Sequence, residues 1–302
     1  MNIIRDIEKL NLPTRTAVAV GKFDGIHLGH RRLLDTLLKQ KDNGLITVVI
    51  TFDPPPEVFL GKSENKQLLT NAEKEKILTA LGIENLYYYP MNETNAAMSA
   101  ENFVRDILLD MFNMAYICAG EDIRFGKGGS GDCEFILNMS KKFDFEAQIV
   151  DKVYHDKREI SSSYVREAVG NSDMKLTEIL LGKPYSFTGF VTEGYRLGRT
   201  LGFPTANLTI EETKIIPKSG VYLSNVVTKT GEYKGISNIG IKPTIDGLRR
   251  PGIETYIYDY NGDLYGEPIE VGLLDFIRPE KKFNGIEELK AQVLRDIEFG
   301  LK

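Results

Sequence analysis

Tryptophan is absent from this chain of 302 residues, histidine occurs three times and cysteine twice. The two cysteines, Cys118 and Cys133, have no close pairing, so they make neither a disulfide framework nor a zinc motif, and they fit a reducing cytoplasm. Excess positive charge is also missing. Lysine and arginine number 38 against 43 aspartates and glutamates, a net charge of −5, which removes the electrostatic footprint of a duplex nucleic-acid binder. The longest apolar-rich run, Leu45–Phe52, is far shorter than the roughly 20 residues needed to span a bilayer. The opening segment MNIIRDIEKLNLPT mixes charges into a short apolar pattern and lacks the apolar centre of a signal peptide. No internal repeat or low-complexity stretch is present. What remains is an ordinary globular composition, 42% hydrophobic and 27% charged, long enough for two domains. A cytoplasmic protein with neither nucleic acid nor membrane as partner is expected.

The first half alternates in character. TAVAVG (Thr16–Gly21) and LITVVITF (Leu45–Phe52) read as buried strands, and Leu28–Gln40 has helical spacing between them. Thr70 and Glu73 form a capping-box pattern ahead of a helix, NLYYYP and AYICAGE read as strands, and SAENFVRDILLDMF as a helix. Near-continuous apolar strands between amphipathic helices predict a Rossmann-like, doubly wound parallel sheet. Around Lys175–Pro184 the rhythm changes to short β-rich runs with glycines, with a hairpin signal at Asn261-Gly262 and a closing amphipathic helix. This half predicts a small antiparallel β-barrel with a terminal helix, and the two domains are expected at 1–182 and 183–302.

Two of the three histidines, His27 and His30, lie three apart in GKFDGIHLGH (Gly21–His30), between the first strand and the first helix. Ligands of a doubly wound sheet bind at the carboxyl ends of strands, against helix N-termini whose free N–H groups attract phosphate. Gly21, Phe23, Asp24 and Gly25 shape that turn, and two imidazoles on one face can donate hydrogen bonds to phosphate oxygens gaining charge. The residues alone also admit a surface histidine pair or a metal pair, although no Cys or carboxylate partner lies in suitable sequence spacing. A serine cluster, Ser161, Ser162 and Ser163, opens a later helix in ISSSYVRE, with Arg166 one turn in. Serine hydroxyls cap helices and bind phosphate, and arginine clamps it bidentately.

The pair HxGH and ISSSxxR resembles the signature of the nucleotidyltransferase superfamily. With TFDPPP (Thr51–Pro56) and GEDIRFGKGGSG (Gly120–Gly131), it resembles the flavin-adenylating module of prokaryotic bifunctional riboflavin kinase/FAD synthetases. That resemblance implies attack of the FMN phosphate on the α-phosphorus of ATP. It implies His27, His30 and Arg166 as catalytic residues, and flavin contacts at Phe52, Asp122 and Phe125. The family usually has an aromatic where Ile123 stands, and commonly Gly-Asp where Ser172-Asp173 stands. The glycine-rich loop after Phe125 is read either as a surface loop or as a mobile substrate lid.

No GxxxxGK[ST] occurs in the second half, so a Walker-type site is excluded. Gly194, Gly198 and Gly202 precede PTAN (Pro204–Asn207), which resembles the glycine flap and metal motif of riboflavin kinases. By that resemblance Thr205 and Asn207 hold Mg²⁺ and ATP phosphates, both being hard oxygen ligands. Glu254 is the implied base toward the riboflavin 5′-hydroxyl, and Arg278 in FIRPEKKF is implied near the isoalloxazine ring. The expected substrates are riboflavin, FMN and ATP, and a homo-oligomer is compatible with the sequence. Two alternatives stay open: one half active with the other a flavin- or nucleotide-binding module, or a flavin sensor without ATP turnover.

Overall fold

The computed structural model describes residues 1–5, 12, 14–193, 202–243 and 249–301. They form two compact units, Met1–Ser162 and Ser163–Lys302.

The first unit is built on six parallel strands: β1 (Asn2–Ile4), β2 (Thr16–Val20), β3 (Ile46–Asp53), β4 (Asn85–Pro90), β5 (Met114–Gly120) and β6 (Glu146–Val150), in the order β1-β4-β3-β2-β5-β6. All five residues of β2 are buried, because both faces of the sheet are covered. The two-residue period of a strand sorts its side chains between two cores. Val18, Val20, Val48, Ile50 and Tyr87 face one side, and Ala17, Ala19, Val49, Leu86 and Tyr88 the other.

Helices α1 (Leu28–Leu38) and α3 (Asn71–Ala80) place Leu33, Leu34, Leu37 and Leu78 on the second face. On the first face lie α5 (Ala100–Asn102), continued by wider turns over Phe103–Met111, and α6 (Cys133–Phe143). Those wider turns end with the Phe112 amide donating five residues back to the Ile107 carbonyl, at 3.2 Å. The predicted capping box is realised: Thr70 Oγ1 accepts from the Glu73 amide at 3.2 Å, and the Thr70 amide donates to Glu73 Oε2 at 3.0 Å. Two single-turn helices, α2 (Pro56–Phe59) and α4 (Glu93–Ala96), and a short hairpin, β7 (Tyr154–His155) with β8 (Arg158–Glu159), complete the unit. Strand β1 has no signal in the sequence, since three residues are too few to show a period; it is added at the sheet edge beside β4.

The second unit opens with α7 (Ser162–Asn171, whose first residue is the last of the first unit) and α8 (Met174–Leu181). An antiparallel sheet follows: β9 (Tyr185–Phe190), β10 (Thr205–Thr209), β11 (Gly220–Thr228), β12 (Gly231–Pro243), β13 (Arg249–Ile257) and β14 (Pro268–Pro279). Its order is β10-β13-β12-β11-β14-β9, and a bridge between Thr192 and Asn207 brings the two ends together, curling the sheet toward a barrel. Three buried hydroxyls, Ser224, Ser237 and Thr255, bond in series across β11, β12 and β13 at 2.8 Å each, so no polar group in that row is stranded. Ser172, where the family commonly has glycine, sits at φ +63°; its buried hydroxyl bonds to Tyr222 at 2.9 Å and accepts from the Lys218 amide at 3.0 Å.

Helix α9 (Ile286–Gly300) lies on β12 and β13 through Ile297, Ile236 and Tyr258, and Tyr258 donates to the Ile297 carbonyl at 2.6 Å. The expected hairpin at Asn261-Gly262 does not form. Strands β13 and β14 are not neighbours in the sheet, and the residues that connect them pair with other segments: the Tyr258 amide donates to the Lys234 carbonyl at 3.0 Å and the Gly266 amide to the Val191 carbonyl at 2.9 Å. The tight turn falls instead at Leu264–Glu267, with Gly266 at φ +73°.

Candidate active sites

The chain winds from β2 through β3 to β4 in one direction, then returns to lay β5 on the other side of β2. That reversal is a topological switch point, and the crevice beyond the carboxyl ends of β2 and β5 is where such a sheet takes ligands. The turn Gly21–His27 leaves β2 there, and the loop Glu121–Phe125 leaves β5.

The β2–α1 turn is strained. Phe23 (φ +49°), Gly25 (+90°) and Ile26 (+43°) are all left-handed, a conformation natural to glycine and costly for a β-branched residue. It persists because its surroundings fix it. Phe23 is wholly buried. Asp24 Oδ1 accepts from the Leu68 amide at 2.7 Å, and Ser162 Oγ donates to the Asp24 carbonyl at 2.8 Å. Thr51 Oγ1 and Lys74 Nζ donate to the Lys22 carbonyl at 3.0 and 3.1 Å.

His27 is the N-cap of α1, its Nδ1 accepting from the His30 amide in a long bond of 3.4 Å. That acceptor role places the His27 proton on Nε2. The two imidazoles stack with centroids 3.8 Å apart, and the His30 ring lies 5.2 Å from that of Phe23. Burial pulls the His27 pKa down to about 4, against the nearby charges of Asp24 and Asp122. Burial, His27, Lys74 and Lys22 together hold His30 well below its ordinary range. The site therefore presents two neutral rings near pH 7, and His30 Nδ1 is buried without a hydrogen-bond partner among the described residues. Gly29 admits no side chain freely: a Cβ there would lie 3.1 Å from His27 Nδ1 and 3.3 Å from the Ile160 carbonyl.

Asp122 is exposed beside this pair, whereas Ile123 and Phe125 are buried. The Phe125 ring packs against Phe103 and Phe135, at 5.5 and 6.0 Å, so it is a core member as well as a flavin candidate. Phe52, half-buried at the end of β3, meets Tyr89 edge-on at 6.0 Å. Ser161 precedes α7, Ser162 and Ser163 begin it, and Arg166 follows one turn in.

In the second unit, strand pairing places Asn207, Glu254 and Asn238 directly opposite one another across β10, β13 and β12. Alternation puts Thr205 on the same face, where its Oγ1 donates to Glu254 Oε1 at 2.6 Å. Three of the sequence-expected residues thus come together. Gly202 is left-handed at φ +94°, while Gly194 and Gly198 lie outside the described residues. Arg278 is engaged elsewhere than a ligand: Nε and Nη2 clamp the buried carboxylate of Asp296 on α9 at 2.9 and 2.6 Å, and Nη1 donates to the Pro279 carbonyl at 3.0 Å. Sequence reasoning missed Lys74, hidden in a helix that reads as solvated, and Asn238, whose signal is only its place opposite Glu254.

A family model for FAD synthetase matches residues 9–164, and one for riboflavin kinase matches 181–302. The chain belongs to the bifunctional riboflavin kinase/FMN adenylyltransferase family. Among its bifunctional relatives, the Bacillus subtilis (strain 168) enzyme is 38% identical over 93% of this chain and 90% of its own length. The Escherichia coli (strain K12) enzyme is 34% identical, over 98% of this chain and 96% of its own. A crystal structure from Streptococcus pneumoniae, named there a macrolide-efflux protein, matches with a TM-score of 0.88 and 32% identity, covering 100% of this chain and 99% of that one. No helix among the described residues is long and apolar enough to cross a membrane. The fold of this bifunctional family member agrees with its sequence expectation in both halves: a doubly wound parallel sheet, then a curled antiparallel sheet with a terminal helix.

Proposed function

We propose that this chain carries both activities of its family, phosphorylating riboflavin with ATP in its C-terminal half and adenylylating the product FMN with a second ATP in its N-terminal half. One observation supports this above others: each matched half has its own assembled polar group. His27 and His30 stack at 3.8 Å at the switch point, and Thr205 bonds Glu254 at 2.6 Å on the barrel. A chain with one active half, or a sensor, would not need both.

In the kinase half, Glu254 takes the proton of the riboflavin 5′-hydroxyl as that oxygen attacks the γ-phosphorus of ATP, and ADP leaves. The Thr205 hydroxyl orients the carboxylate and keeps lone pairs free for a cation. Among the described residues no group of three His, Cys, Asp or Glu forms a metal cage. The hydroxyl of Thr205 and the amide oxygen of Asn207 are hard oxygen donors that suit Mg²⁺ held jointly with nucleotide phosphates. Bound there, the ion would neutralise phosphate charge during transfer. Gly194, Gly198 and Gly202 are assigned to the phosphate flap. Arg278, with three of its N–H donors on Asp296 and Pro279, offers the flavin its guanidinium face.

In the adenylylating half, an FMN phosphate oxygen attacks the α-phosphorus of ATP and pyrophosphate leaves. Neutral His27 and His30 donate N–H groups to the oxygens that gain charge. Gly21, Phe23, Asp24 and Gly25 shape the turn around the triphosphate; Ser161, Ser162, Ser163 and Arg166 hold its outer phosphates. Phe52, Asp122 and Phe125 are assigned to flavin. We place the functional boundary between residues 182 and 183, just inside the riboflavin kinase match that begins at residue 181. Two unpaired thiols suit a cytoplasmic setting.

The test is chromatography of products after incubation with riboflavin, ATP and Mg²⁺. FMN and FAD are both expected. FMN alone would overturn the adenylylating assignment, and absence of both products would overturn the whole reading.

A further inference from the structure

Lys74 is a cation left only 3% exposed on α3. Its Nζ donates to the Lys22 carbonyl at 3.1 Å and lies 3.5 Å from Thr51 Oγ1, which donates to the same carbonyl at 3.0 Å. Side chains from α3 and β3 thus converge on the one carbonyl immediately before Phe23, the residue whose ring packs on His30. A buried ammonium is expensive unless compensated. Burial pulls the Lys74 pKa down, and the charges of Asp24, Asp53 and Glu75 oppose that pull. Nothing in the transfer chemistry itself uses this group.

We propose that Lys74 is a positioning residue for adenylyl transfer, fixing through the Lys22 carbonyl the turn that carries His27 and His30 and supplying positive charge near that pair. The inference rests on the adenylylating assignment of the turn. The charge acts together with Lys22 and His27 to keep His30 neutral, while Asp24 and Asp122 act in the opposite sense on His27. A neutral His30 enters the site as a hydrogen-bond donor to phosphate oxygens that gain charge. The tether holds a left-handed turn that would otherwise relax.

The chain contains only three histidines, so its imidazole proton resonances can be followed individually in the full-length protein. Lys74→Met should raise the pH at which His30 titrates. It should lower kcat for FAD formation from supplied FMN on the order of tenfold or more, with riboflavin phosphorylation unchanged and with an unaltered circular dichroism spectrum and urea midpoint of the N-terminal unit as the check on folding. Lys74→Arg should restore both the titration and the rate. Should Lys74→Met fail to fold, Lys74→Gln keeps a donor for the Lys22 carbonyl without the charge and should still shift His30. Full FAD formation with an unmoved His30 in the neutral variants would overturn the inference. Lost activity that arginine does not rescue would also overturn it, reducing Lys74 to packing. Failure of the unsubstituted protein to make FAD would instead sink the functional assignment on which it rests.

Discussion

Replacing His27 by asparagine separates its two roles. Asparagine is a good N-cap, so the bond to the His30 amide has a substitute acceptor, but the titrating ring is gone. In the native protein burial pulls the His27 pKa from its ordinary 6.5 to about 4, with Asp24 and Asp122 opposing. A folded-state value below the unfolded one means that the unfolded chain takes up the proton first as pH falls. The contribution of His27 is therefore fully present above pH 6.5 and is lost as pH drops toward 4. At about 1.4 kcal/mol per pH unit, that interval is worth about 3 kcal/mol. Urea unfolding of the ligand-free protein followed by circular dichroism, at pH 7.5 and at pH 4, measures it. Carboxylate titrations common to both proteins cancel in the difference, so the stability of native relative to His27→Asn should fall by about 3 kcal/mol between the two pH values. An unchanged difference would refute the claim that the ring is held neutral by burial.

His30→Ala should abolish FAD formation from supplied FMN and leave riboflavin phosphorylation intact; equal loss of both would contradict two independent sites. Glu254→Gln keeps an acceptor for Thr205 but not the base, so riboflavin phosphorylation should fall by roughly 10²- to 10⁴-fold while adenylylation persists, and unaltered kinase turnover would exclude Glu254 as the base. Asp296→Ala strands Arg278 and should destabilise the C-terminal unit by about 3 kcal/mol in chemical denaturation; a change below about 0.5 kcal/mol would show the pair to be dispensable.

The parallel sheet was legible because buried strands such as Thr16–Val20 are apolar from Ala17 onward on both faces, a pattern that neither a loop nor a half-exposed strand produces. The histidine turn was legible because glycine and histidine cluster there out of proportion to their use elsewhere. Long-range partnerships were not. Asp296 meets Arg278 across 18 residues, and no local pattern marks a pair of that separation. Lys74 sits in EKEKIL, where charges at helical spacing describe a wet face until the sheet beneath draws one inward. Asn261-Gly262 carried a hairpin signal that failed because the strands beside it are not partners in the sheet, and pairing across the barrel outweighs a dipeptide preference.

Ile26 illustrates what protein engineering would meet in this enzyme. Glycine at that position would relieve roughly 1 kcal/mol of backbone conformational cost, but it would also empty a core position that is 3% exposed, a loss of about 2–5 kcal/mol. A search for thermostable variants would therefore keep the isoleucine, and with it the bend that presents both imidazoles. Selection for robustness and selection for FAD formation pull the same way at this residue.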